Sequence, residues 1–549
     1  MVILLKKVKS KTNDRIIFYV ICIKMYSVQN SMPLDSFSVI QPSTSQAEYS
    51  EGQICRFMLP RSLGFFDPAN SFLELQVQLT GNNYPMTFSN DCGANMLIEF
   101  IKISQNGVQI EQIDRYNNLA QLKKCYSETF NERQRHSAKD LSRVNNSSQQ
   151  NSFKVGNQSN PTFAGRLGGL GDDGANFNKT TNVYLDLNLT GLFSHTSLVP
   201  LVAMGDVEIE IRFAKNSEVL IVDPNVKAEH KVVGQIANNA TSVTLDKDYA
   251  GFLGLGDSPF AVGMEITPHD SDDTPRTPVE ITAIAEDENG TITITTGTIN
   301  TGNSTATGNY VKITKGTNLN GGTKASAVDA GAKYIVNKAN FYLNIVRPPS
   351  QYIDALSRQT GGQGLVLDLN SWTCYKNVIK KEIPSQTLEI PCYAMRSKAL
   401  LTILNKMVQN NSYKVDNTSD YNANGEIENL ETYNYQDGNG NRFPTRPVDV
   451  SILNQSLRHP SAQHCHELSK ALMSSSIPFN SFKRQVENFV VGRAFGRYGA
   501  TSNLSTQGGL RIYLDYDASS KPSVDLQSLS WCNHINRVVV RNDGLQVFS

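Results

Sequence analysis

The sequence predicts an all-β protein built of two strand-rich halves, and three observations support this prediction. Stretches of alternating apolar and polar residues recur along the chain, helical patterns are few and short, and turn residues separate the stretches about every ten positions. Many short strands between turns are typical of a sandwich or a barrel. The scarcity of alternating helices argues against a parallel α/β sheet.

The strictest alternation lies at residues 183–189, where Val183, Leu185, Leu187 and Leu189 would share one face of a strand. The same alternation recurs at residues 72–79, 207–213, 341–345 and 510–516. A strand of this kind buries one face and leaves the other to solvent. The pattern therefore predicts half-buried strands in both halves of the chain.

Turn residues predict two hairpins. Asn106-Gly107 separates two apolar segments between residues 97 and 113, and this pair readily adopts the positive φ angles of a type I′ turn. Near the C-terminus, Asp543-Gly544 separates residues 537–541 from residues 545–548. We expect each pair of segments to form antiparallel strands.

Helical patterns are confined to three short segments, at residues 116–127, 398–408 and 467–473. The segment at 398–408 has the sequence KALLTILNKMV, and its apolar residues fit helical spacing. We therefore expect three helices between the strands.

The domain organisation is predicted from length and from two polar tracts. A chain of 549 residues exceeds what one hydrophobic core usually serves. Residues 223–333 are rich in Gly, Thr, Asn and Asp and contain strand signals around Asn289-Gly290, which indicates a β-rich insertion. Residues 409–442 have almost no aliphatic side chains and indicate a long exposed loop. We expect a leader at 1–35, a first domain at 36–350 interrupted by the insertion, and a second domain at 351–549.

The leader is basic and then apolar, since four lysines and Arg15 precede an apolar run at residues 16–23. The run is too short to span a bilayer, and Lys24-Met25-Tyr26 follows it instead of a small-residue cleavage site. Several interpretations stay open. They are a cleaved signal, a disordered leader, upstream sequence before a start at Met25 or Met32, and an interior arm that touches membrane or DNA.

Charge and cysteine content exclude some classes of protein. The chain has 51 basic and 51 acidic side chains, which is unlike a nucleic-acid binder or a membrane-surface protein. Its eight cysteines form no CxxC pair, which is unlike a zinc ribbon or a disulfide scaffold. We expect reduced, mostly buried thiols in a protein that folds in a reducing compartment.

Three motifs could carry chemistry, and each is incomplete. Residues 169–174 match GxGxxG, but neither a strand before them nor a helix after them is predicted, as dinucleotide binding requires. Residues 316–321 space two glycines like a P-loop, but Gly322 stands where the lysine should be. His464-Cys465-His466-Glu467, near His459, could ligate a metal, but i and i+2 side chains diverge on the predicted helix. The sequence predicts no catalytic, cofactor-binding or metal site, and no small-molecule substrate.

Two runs of sequence resemble a known family. One joins residues 54–60 (ICRFMLP) through 65–68 (FFDP) to the strand at 72–79. The other joins residues 185–193 (LDLNLTGLF) through 198–201 (LVPL) to the strand at 207–213. These successions of strand, short helix and Pro-Leu resemble the first jelly roll of the double-jelly-roll major capsid proteins of tailless icosahedral double-stranded DNA viruses, the lineage of adenoviruses, virophages and polinton-like viruses.

The resemblance covers roughly residues 36–549 except the insertion, and the half from Trp372 onward fits a second roll more loosely. It implies two fused eight-stranded antiparallel jelly rolls side by side, in a non-enzymatic subunit whose homotrimers form pseudo-hexameric capsomers. It also implies a virion protein assembled inside the host cell. Its partners would be neighbouring capsomers, penton and minor capsid proteins, and an internal membrane or the genome through the N-terminal arm.

The sequence leaves two alternative functions open. One is a secreted or surface β-sandwich protein that binds carbohydrate or acts as an adhesin, which the leader would favour if it were a cleaved signal. The other is a jelly-roll enzyme that uses the His464 cluster.

Overall fold

The computed structural model describes most of the strands and helices of the chain together with the turns between many of them. The described residues are 2–8, 17–23, 35–80, 86–88, 92–127, 139–141, 168–170, 176–178, 180–222, 229–231, 236–237, 239–245, 265–269, 276–286, 292–299, 310–315, 333–362, 364–406, 430–450, 462–472, 490–495, 501–505, 508–516, 521–522, 525–541 and 544–548.

Strands dominate the structure. Those before the predicted insertion are β1 (Val2–Val8), β2 (Ile17–Ile23), β3 (Asp35–Pro42), β4 (Ile54–Leu59), β5 (Phe65–Thr80), β6 (Met86–Phe88), β7 (Ile98–Gln105), β8 (Val108–Asp114), β9 (Gly168–Leu170), β10 (Asn176–Asn178), β11 (Thr180–Leu185), β12 (Val199–Pro200), β13 (Val207–Phe213) and β14 (Leu220–Val222). Those from residue 229 to residue 347 are β15 (Glu229–Lys231), β16 (Ala240–Leu245), β17 (Glu265–His269), β18 (Val279–Glu286), β19 (Ile292–Ile299), β20 (Tyr310–Lys315) and β21 (Lys333–Arg347).

The remaining strands belong to the second half, and the described helices are short. The strands are β22 (Leu365–Ile379), β23 (Ser385–Ile390), β24 (Ser397–Lys406), β25 (Leu430–Asp437), β26 (Arg442–Asp449), β27 (Val490–Ala494), β28 (Leu510–Tyr516), β29 (Leu526–Arg541) and β30 (Gly544–Phe548). The α-helices are α1 (Tyr116–Ser127), α2 (Leu201–Met204), α3 (Asn216–Val219), α4 (Ser350–Gly361) and α5 (Ala462–Leu472), and 3-10 turns cover Arg61–Leu63 and Gly93–Leu97.

Eight strands of the first half form two sheets with the order of a jelly roll. One sheet has the order β11-β5-β21-β3, and the other has the order β4-β13-β7-β8. When the eight strands are numbered from 1 to 8 along the chain, the first sheet has the order 6-3-8-1. The second sheet has the order 2-7-4-5. Neighbouring strands are antiparallel throughout. This is the double-sheet topology of a jelly roll.

The second half repeats that topology strand for strand. Its sheets have the orders β22-β29-β24-β27 and β23-β28-β25-β26, which hold the same ordinal positions as the sheets of the first half. In both halves a helix, α1 or α5, lies between the fifth and sixth strands. The predicted fold class of two fused eight-stranded antiparallel jelly rolls is confirmed.

The segment between the seventh and eighth strands distinguishes the two barrels. In the first barrel this segment contains a separate six-stranded sheet with the order β15-β20-β17-β18-β19-β16. In the second barrel only nine residues, 517–525, separate β28 from β29. The first barrel therefore carries an elaborate sheet where the second has a short connection.

The apolar residues of the alternating stretches point into the barrels and fill their interiors. In β13 the residues Val207, Ile209, Ile211 and Phe213 are buried, and the intervening ones are partly exposed. Across the first barrel, the rings of Phe57 and Phe341 meet edge to face with centroids 4.6 Å apart. Burial of this apolar surface is the main force that holds the two sheets of each barrel together.

Several local predictions are confirmed. Residues 116–127 form helix α1 with the predicted bounds. Asn106 and Gly107 have φ angles of 47° and 81°, as a type I′ turn requires, and they join β7 to β8. The C-terminal hairpin pairs β29 with β30. At the N-terminus, where no strands were predicted, β1 pairs with β2.

The predicted helix at 398–408 is wrong, because residues 397–406 form strand β24. This strand lies inside the sheet between β27 and β29, and residues 399–404 are all buried. Its two faces pack against different cores, with Leu401 in one and Leu400 in the other. A strand buried on both faces loses its alternation, and its apolar run then resembles a helix.

The predicted exposed loop at 409–442 is wrong from residue 430 onward, where β25 begins. Tyrosines rather than aliphatic residues fill the barrel here, and Tyr433 and Tyr435 are both buried. Residues 407–429 lie outside the described residues.

The predicted strand at 183–189 ends at Leu185, and Leu187 adopts a φ angle of 49° in the turn that follows. Leu187 and Leu189 are still buried in the core. The alternation therefore predicted the burial of these residues correctly and the end of the strand wrongly. The predicted helix at 467–473 begins earlier, at Ala462, so it includes the histidine cluster.

Candidate functional site: the contact between the two barrels

The predicted ligand motifs do not assemble a site. His464 is fully buried on α5, whereas His466 is exposed, as expected for residues two apart on a helix. Residues 168–170 form β9, which pairs with β10, so the GxGxxG stretch begins within a strand. Residues 171–175 and 316–322 lie outside the described residues. Within the described part of the chain, no group of three His, Cys, Asp or Glu side chains could hold a metal ion.

His464 instead anchors α5 to the second barrel. Its Nδ1 lies 3.1 Å from the hydroxyl of Tyr433 on β25. Burial lowers the pKa of His464 to about 3, so the ring is neutral at physiological pH. Glu467, one turn later on α5, forms a partly buried ion pair with Arg493 on β27. These contacts fix the helix on the barrel.

None of the described helices is both long and apolar enough to cross a bilayer.

The two barrels meet in an extensive buried contact. The hydrophobic core of the first barrel continues without a break into the outer face of the sheet β22-β29-β24-β27. Trp372, Leu401 and Trp531 belong to this shared core, whereas Leu400 and Cys532, on the other face of the same sheet, line the interior of the second barrel. The second barrel therefore uses both faces of one sheet, one for its own core and one for its neighbour.

Side chains of the second barrel complete the edge of a sheet in the first. β8 is an edge strand, and an edge strand presents unpaired backbone groups. The indole Nε1 of Trp531 donates to the carbonyl of Asp114 at 3.2 Å, and the amide Nδ2 of Asn536 donates to the carbonyl of Ile110 at 2.9 Å. These bonds pair backbone acceptors of the edge strand with donors from the second barrel.

A buried carboxylate lies at the centre of this contact. Glu111 on β8 accepts hydrogen bonds from the backbone N–H groups of Gly191 at 2.7 Å and Leu192 at 3.0 Å. The hydroxyl of Ser371, on β22 of the second barrel, also hydrogen-bonds to it. Burial outweighs these bonds and raises the pKa of Glu111 to about 7.

The backbones of the two barrels approach closely at Gly191. A Cβ atom at this position would lie 2.7 Å from the Cβ of Leu369 and 2.9 Å from the backbone N and O of Asn370. Only a glycine leaves room for β22 here. The glycine of the sequence LTGLF is therefore required for the contact between the barrels.

A cavity of about 190 Å³ borders the same region, between α1 and the segment that follows β11. Its wall includes the buried ion pair of Lys124 with Asp140 and the exposed pair of Lys139 with Asp186, whose atoms are 3.2 Å apart. Lys123 on α1 lies 5.7 Å from the ring centroid of Trp372, and burial lowers its pKa to about 8. Of these lysines, Lys123 links α1 to the second barrel through Trp372.

The outer face of the first barrel carries a stripe of aromatic and aliphatic side chains that the described residues leave partly exposed. The stripe consists of Ile40, Tyr342, Phe72 and Tyr184, from four neighbouring strands. Phe72 stacks on Tyr342 with centroids 5.1 Å apart and meets Tyr184 edge to face at 5.5 Å. Ile40 is 52% exposed. The three aromatic rings are partly exposed. A run of exposed and partly exposed apolar side chains on neighbouring strands marks an interaction surface.

Glu111 gives the contact a testable pH dependence. Since the folded protein keeps this proton up to about pH 7 and the unfolded chain releases it near its ordinary pKa of 4.5, stability is lost as pH rises through this window. We expect the free energy of unfolding of wild type to fall by about 3 kcal/mol relative to Glu111→Gln between pH 4.5 and 7.5. Urea unfolding of both proteins across this range measures the difference.

Glu111→Gln controls for the other titrating groups, because His464 is present in both proteins. The low pKa of His464 acts in the opposite direction, since its stabilising effect is lost as pH falls below its ordinary value of 6.5. Its effect cancels when the two curves are subtracted. Parallel curves for the two proteins would show that Glu111 is not a buried, protonated group.

The comparisons with known proteins bear on the fold. No protein-family model matches the sequence, and no curated protein is significantly similar to it. The Faustovirus major capsid protein is similar in structure, with a TM-score of 0.51 and 9% identity over 93% of this chain and 92% of that chain. PBCV-1 Vp54, fitted into a reconstruction of the virophage Sputnik, has a TM-score of 0.49 and 10% identity over 94% and 97%. The mavirus major capsid protein has a TM-score of 0.37 and 10% identity over 98% and 93%.

The likeness to the Faustovirus protein extends over nearly the whole length of both chains, so it includes both barrels and the connections between them. Together with the strand order of the two halves, it establishes that this chain has the double-jelly-roll fold.

Proposed function

We propose that this chain, a double jelly roll, is a major capsid protein, a non-enzymatic subunit that builds the shell of an icosahedral virus. The observation that carries the proposal is the fusion of two barrels of identical topology through a continuous buried core. A rigid pair of similar barrels is a repeating unit from which a larger ring can be built. The Faustovirus protein that this chain resembles in structure is a major capsid protein.

The duplication indicates how copies would associate. Within the chain, the outer face of the sheet β22-β29-β24-β27 packs on the first barrel. The topologically equivalent sheet of the first barrel is β11-β5-β21-β3, and its outer face carries the apolar stripe. Because the two barrels are equivalent in topology, the second barrel of another copy would cover this face in the same way.

Repetition of that contact closes a ring of three copies. Each copy contributes two barrels, so a homotrimer presents six barrels around one axis and has a pseudo-hexameric outline. Such a capsomer would tile the shell against neighbouring capsomers, with penton and minor capsid proteins at special positions. The protein would be located in the virion after assembly inside the host cell.

The domain plan has three parts in this proposal. Residues 36–350 form the first jelly roll, residues 351–549 form the second, and residues 1–35 form an arm on the inner side of the shell, toward the genome or an internal membrane. The insertion at 223–333 would be a tower on the outer surface. Its six-stranded sheet contains no strand of either barrel, which is what a projecting element requires.

The stripe predicts which substitution blocks assembly. We expect the purified chain to sediment as a trimer, at three times its mass of 60.6 kDa. The double variant Ile40→Lys/Tyr342→Lys places two charges in the stripe, and we expect it to raise the dissociation constant of the trimer at least a hundredfold, or about 3 kcal/mol. Sedimentation equilibrium over a range of protein concentrations measures this change.

The matched control is Ile40→Val/Tyr342→Phe, which keeps the stripe apolar and should remain a trimer. Both side chains lie on the outer face, so neither double variant should alter the thermal unfolding of the isolated chain by more than a few degrees. A wild-type chain that stays monomeric at micromolar concentration would contradict the proposed function. If the Ile40→Lys/Tyr342→Lys variant remained a trimer, the contact between copies would have to lie on another face.

A further inference from the structure

Two cysteines that are far apart in sequence meet inside the second barrel. Cys392 follows β23 by two residues, and Cys532 lies within β29. Their Sγ atoms are 2.8 Å apart, although 140 residues separate them along the chain. Both side chains are fully buried. The separation of the sulfurs is only about 0.8 Å longer than a disulfide bond.

The surroundings hold the two sulfurs together. The hydroxyl of Ser397 lies 3.9 Å from Sγ of Cys392 and 3.7 Å from Sγ of Cys532. The other cysteines whose side chains the structure describes are Cys55, Cys92, Cys374 and Cys465, and these four lie outside this contact. The pair is therefore a specific feature of the second barrel.

We propose that Cys392 and Cys532 form a disulfide bond when the protein meets an oxidising environment, and that this bond locks the second barrel. The thiols stay reduced while the chain folds in a reducing compartment. After release from that compartment, a low-molecular-weight disulfide such as oxidised glutathione oxidises the pair.

The chemistry is a thiol-disulfide exchange in two steps. The thiolate of Cys392 attacks one sulfur of the reagent, which forms a mixed disulfide and releases one thiolate. Sγ of Cys532 then loses its proton and attacks Sγ of Cys392, which forms the protein disulfide and releases the second thiolate. The two protons of the cysteines end on the two reagent thiols, and the two electrons reduce the reagent.

Cys392 is the better nucleophile of the two. The hydrogen bond with Cys532 lowers the pKa of Cys392 to about 7, whereas the same contact and burial raise the pKa of Cys532. Cys392 also lies in the connection after β23 rather than within a strand, so a local opening would expose it before Cys532.

The bond would join the two sheets of the barrel. Cys392 extends from the sheet β23-β28-β25-β26, and Cys532 belongs to the sheet β22-β29-β24-β27. A disulfide that closes a loop of 140 residues removes much of the freedom of the unfolded chain. The same strand β29 carries Trp531, which contacts the first barrel, so the bond would also secure the barrel contact.

The test compares reduced protein with protein held in oxidised glutathione and mild urea, below the unfolding transition. Incubation continues until a maleimide labels Cys392 in a parallel reduced sample, which proves that the pair has been exposed. The protein is then unfolded in an alkylating reagent and mapped by mass spectrometry. We expect a loss of two hydrogens in the unalkylated mass, a cross-linked peptide containing both cysteines, and a melting temperature higher by about 5 °C.

Two variants make the result specific. Cys392→Ser should abolish both the cross-link and the rise in melting temperature, whereas Cys55→Ser, which removes a buried cysteine of the first barrel, should preserve both. Full alkylation of Cys392 and Cys532 after the exposure step would overturn the proposal. A cross-link that joins other cysteines, or one that persists in Cys392→Ser, would overturn it as well.

Discussion

Trp531→Ala is expected to cost about 4 kcal/mol of stability, a large fraction of the stability of a typical domain. Trp531 is the largest fully buried side chain described, and it lies in the core that both barrels share. Its removal leaves a large cavity between the barrels and deprives the carbonyl of Asp114 of its donor. We expect the urea midpoint to fall, and the proposed trimer to be lost with it.

Trp531→Phe separates the packing contribution from the hydrogen bond. It keeps most of the ring volume and removes the donor, so we expect a loss of about 1–2 kcal/mol. The chain has only two tryptophans, so Trp372 remains as the fluorescent reporter of the same contact in both variants. If Trp531→Ala unfolded at the same urea concentration as wild type, the barrels would not share a core at this strand.

Gly191→Ala is expected to cost about 3 kcal/mol, although it adds a single methyl group. The new Cβ would meet the backbone of Asn370 and the Cβ of Leu369, and neither can rotate away. The barrels must then move apart, which also strains the bonds from Gly191 and Leu192 to Glu111. Thermal unfolding and sedimentation of the variant measure the effect on stability and on assembly.

Gly297→Ala is the matched control for this substitution. Gly297 lies in β19 of the inserted sheet, and a Cβ at this position would meet no atom within 4 Å. We expect its stability to equal that of wild type within about 0.5 kcal/mol. Equal stability of Gly191→Ala and Gly297→Ala would mean that β22 does not press against Gly191.

The sequence predicted the strands well where one face of a strand is buried, because burial and exposure then alternate along the residues. It failed at β24, which is buried on both faces, and at β25, where Tyr433 and Tyr435 fill the core in place of aliphatic side chains. Both failures have one cause. The pattern records which residues are buried, and the partners that bury them come from distant parts of the chain.

The contact between the barrels was beyond prediction from the sequence for the same reason. Glu111 stands between Ile110 and Gln112 in a strand whose alternation marks no special role for it, and Trp531 lies 417 residues from Asp114. The signal that could have pointed to the contact is the pair of large residues on the long strands β22 and β29, Trp372 and Trp531. Both tryptophans of the chain lie in the sheet that faces the first barrel.

The duplication of the fold was expected from two strand-rich halves, yet no residue-level repeat reveals it. A jelly roll requires antiparallel strands with one buried face, and many residues satisfy that requirement. The two barrels therefore share strand order and the position of one helix, while their loops differ. The long insertion lies between β14 and β21, and the equivalent connection in the second barrel is short.

Electron cryomicroscopy of the purified protein tests the central claim most directly, because it shows the number and arrangement of the barrels. We expect particles of three chains with six barrels around one axis, a hexagonal outline, and the apolar stripe of each chain covered by the second barrel of the next. Particles of a single chain with two barrels, or assemblies that leave the stripe facing solvent, would contradict it.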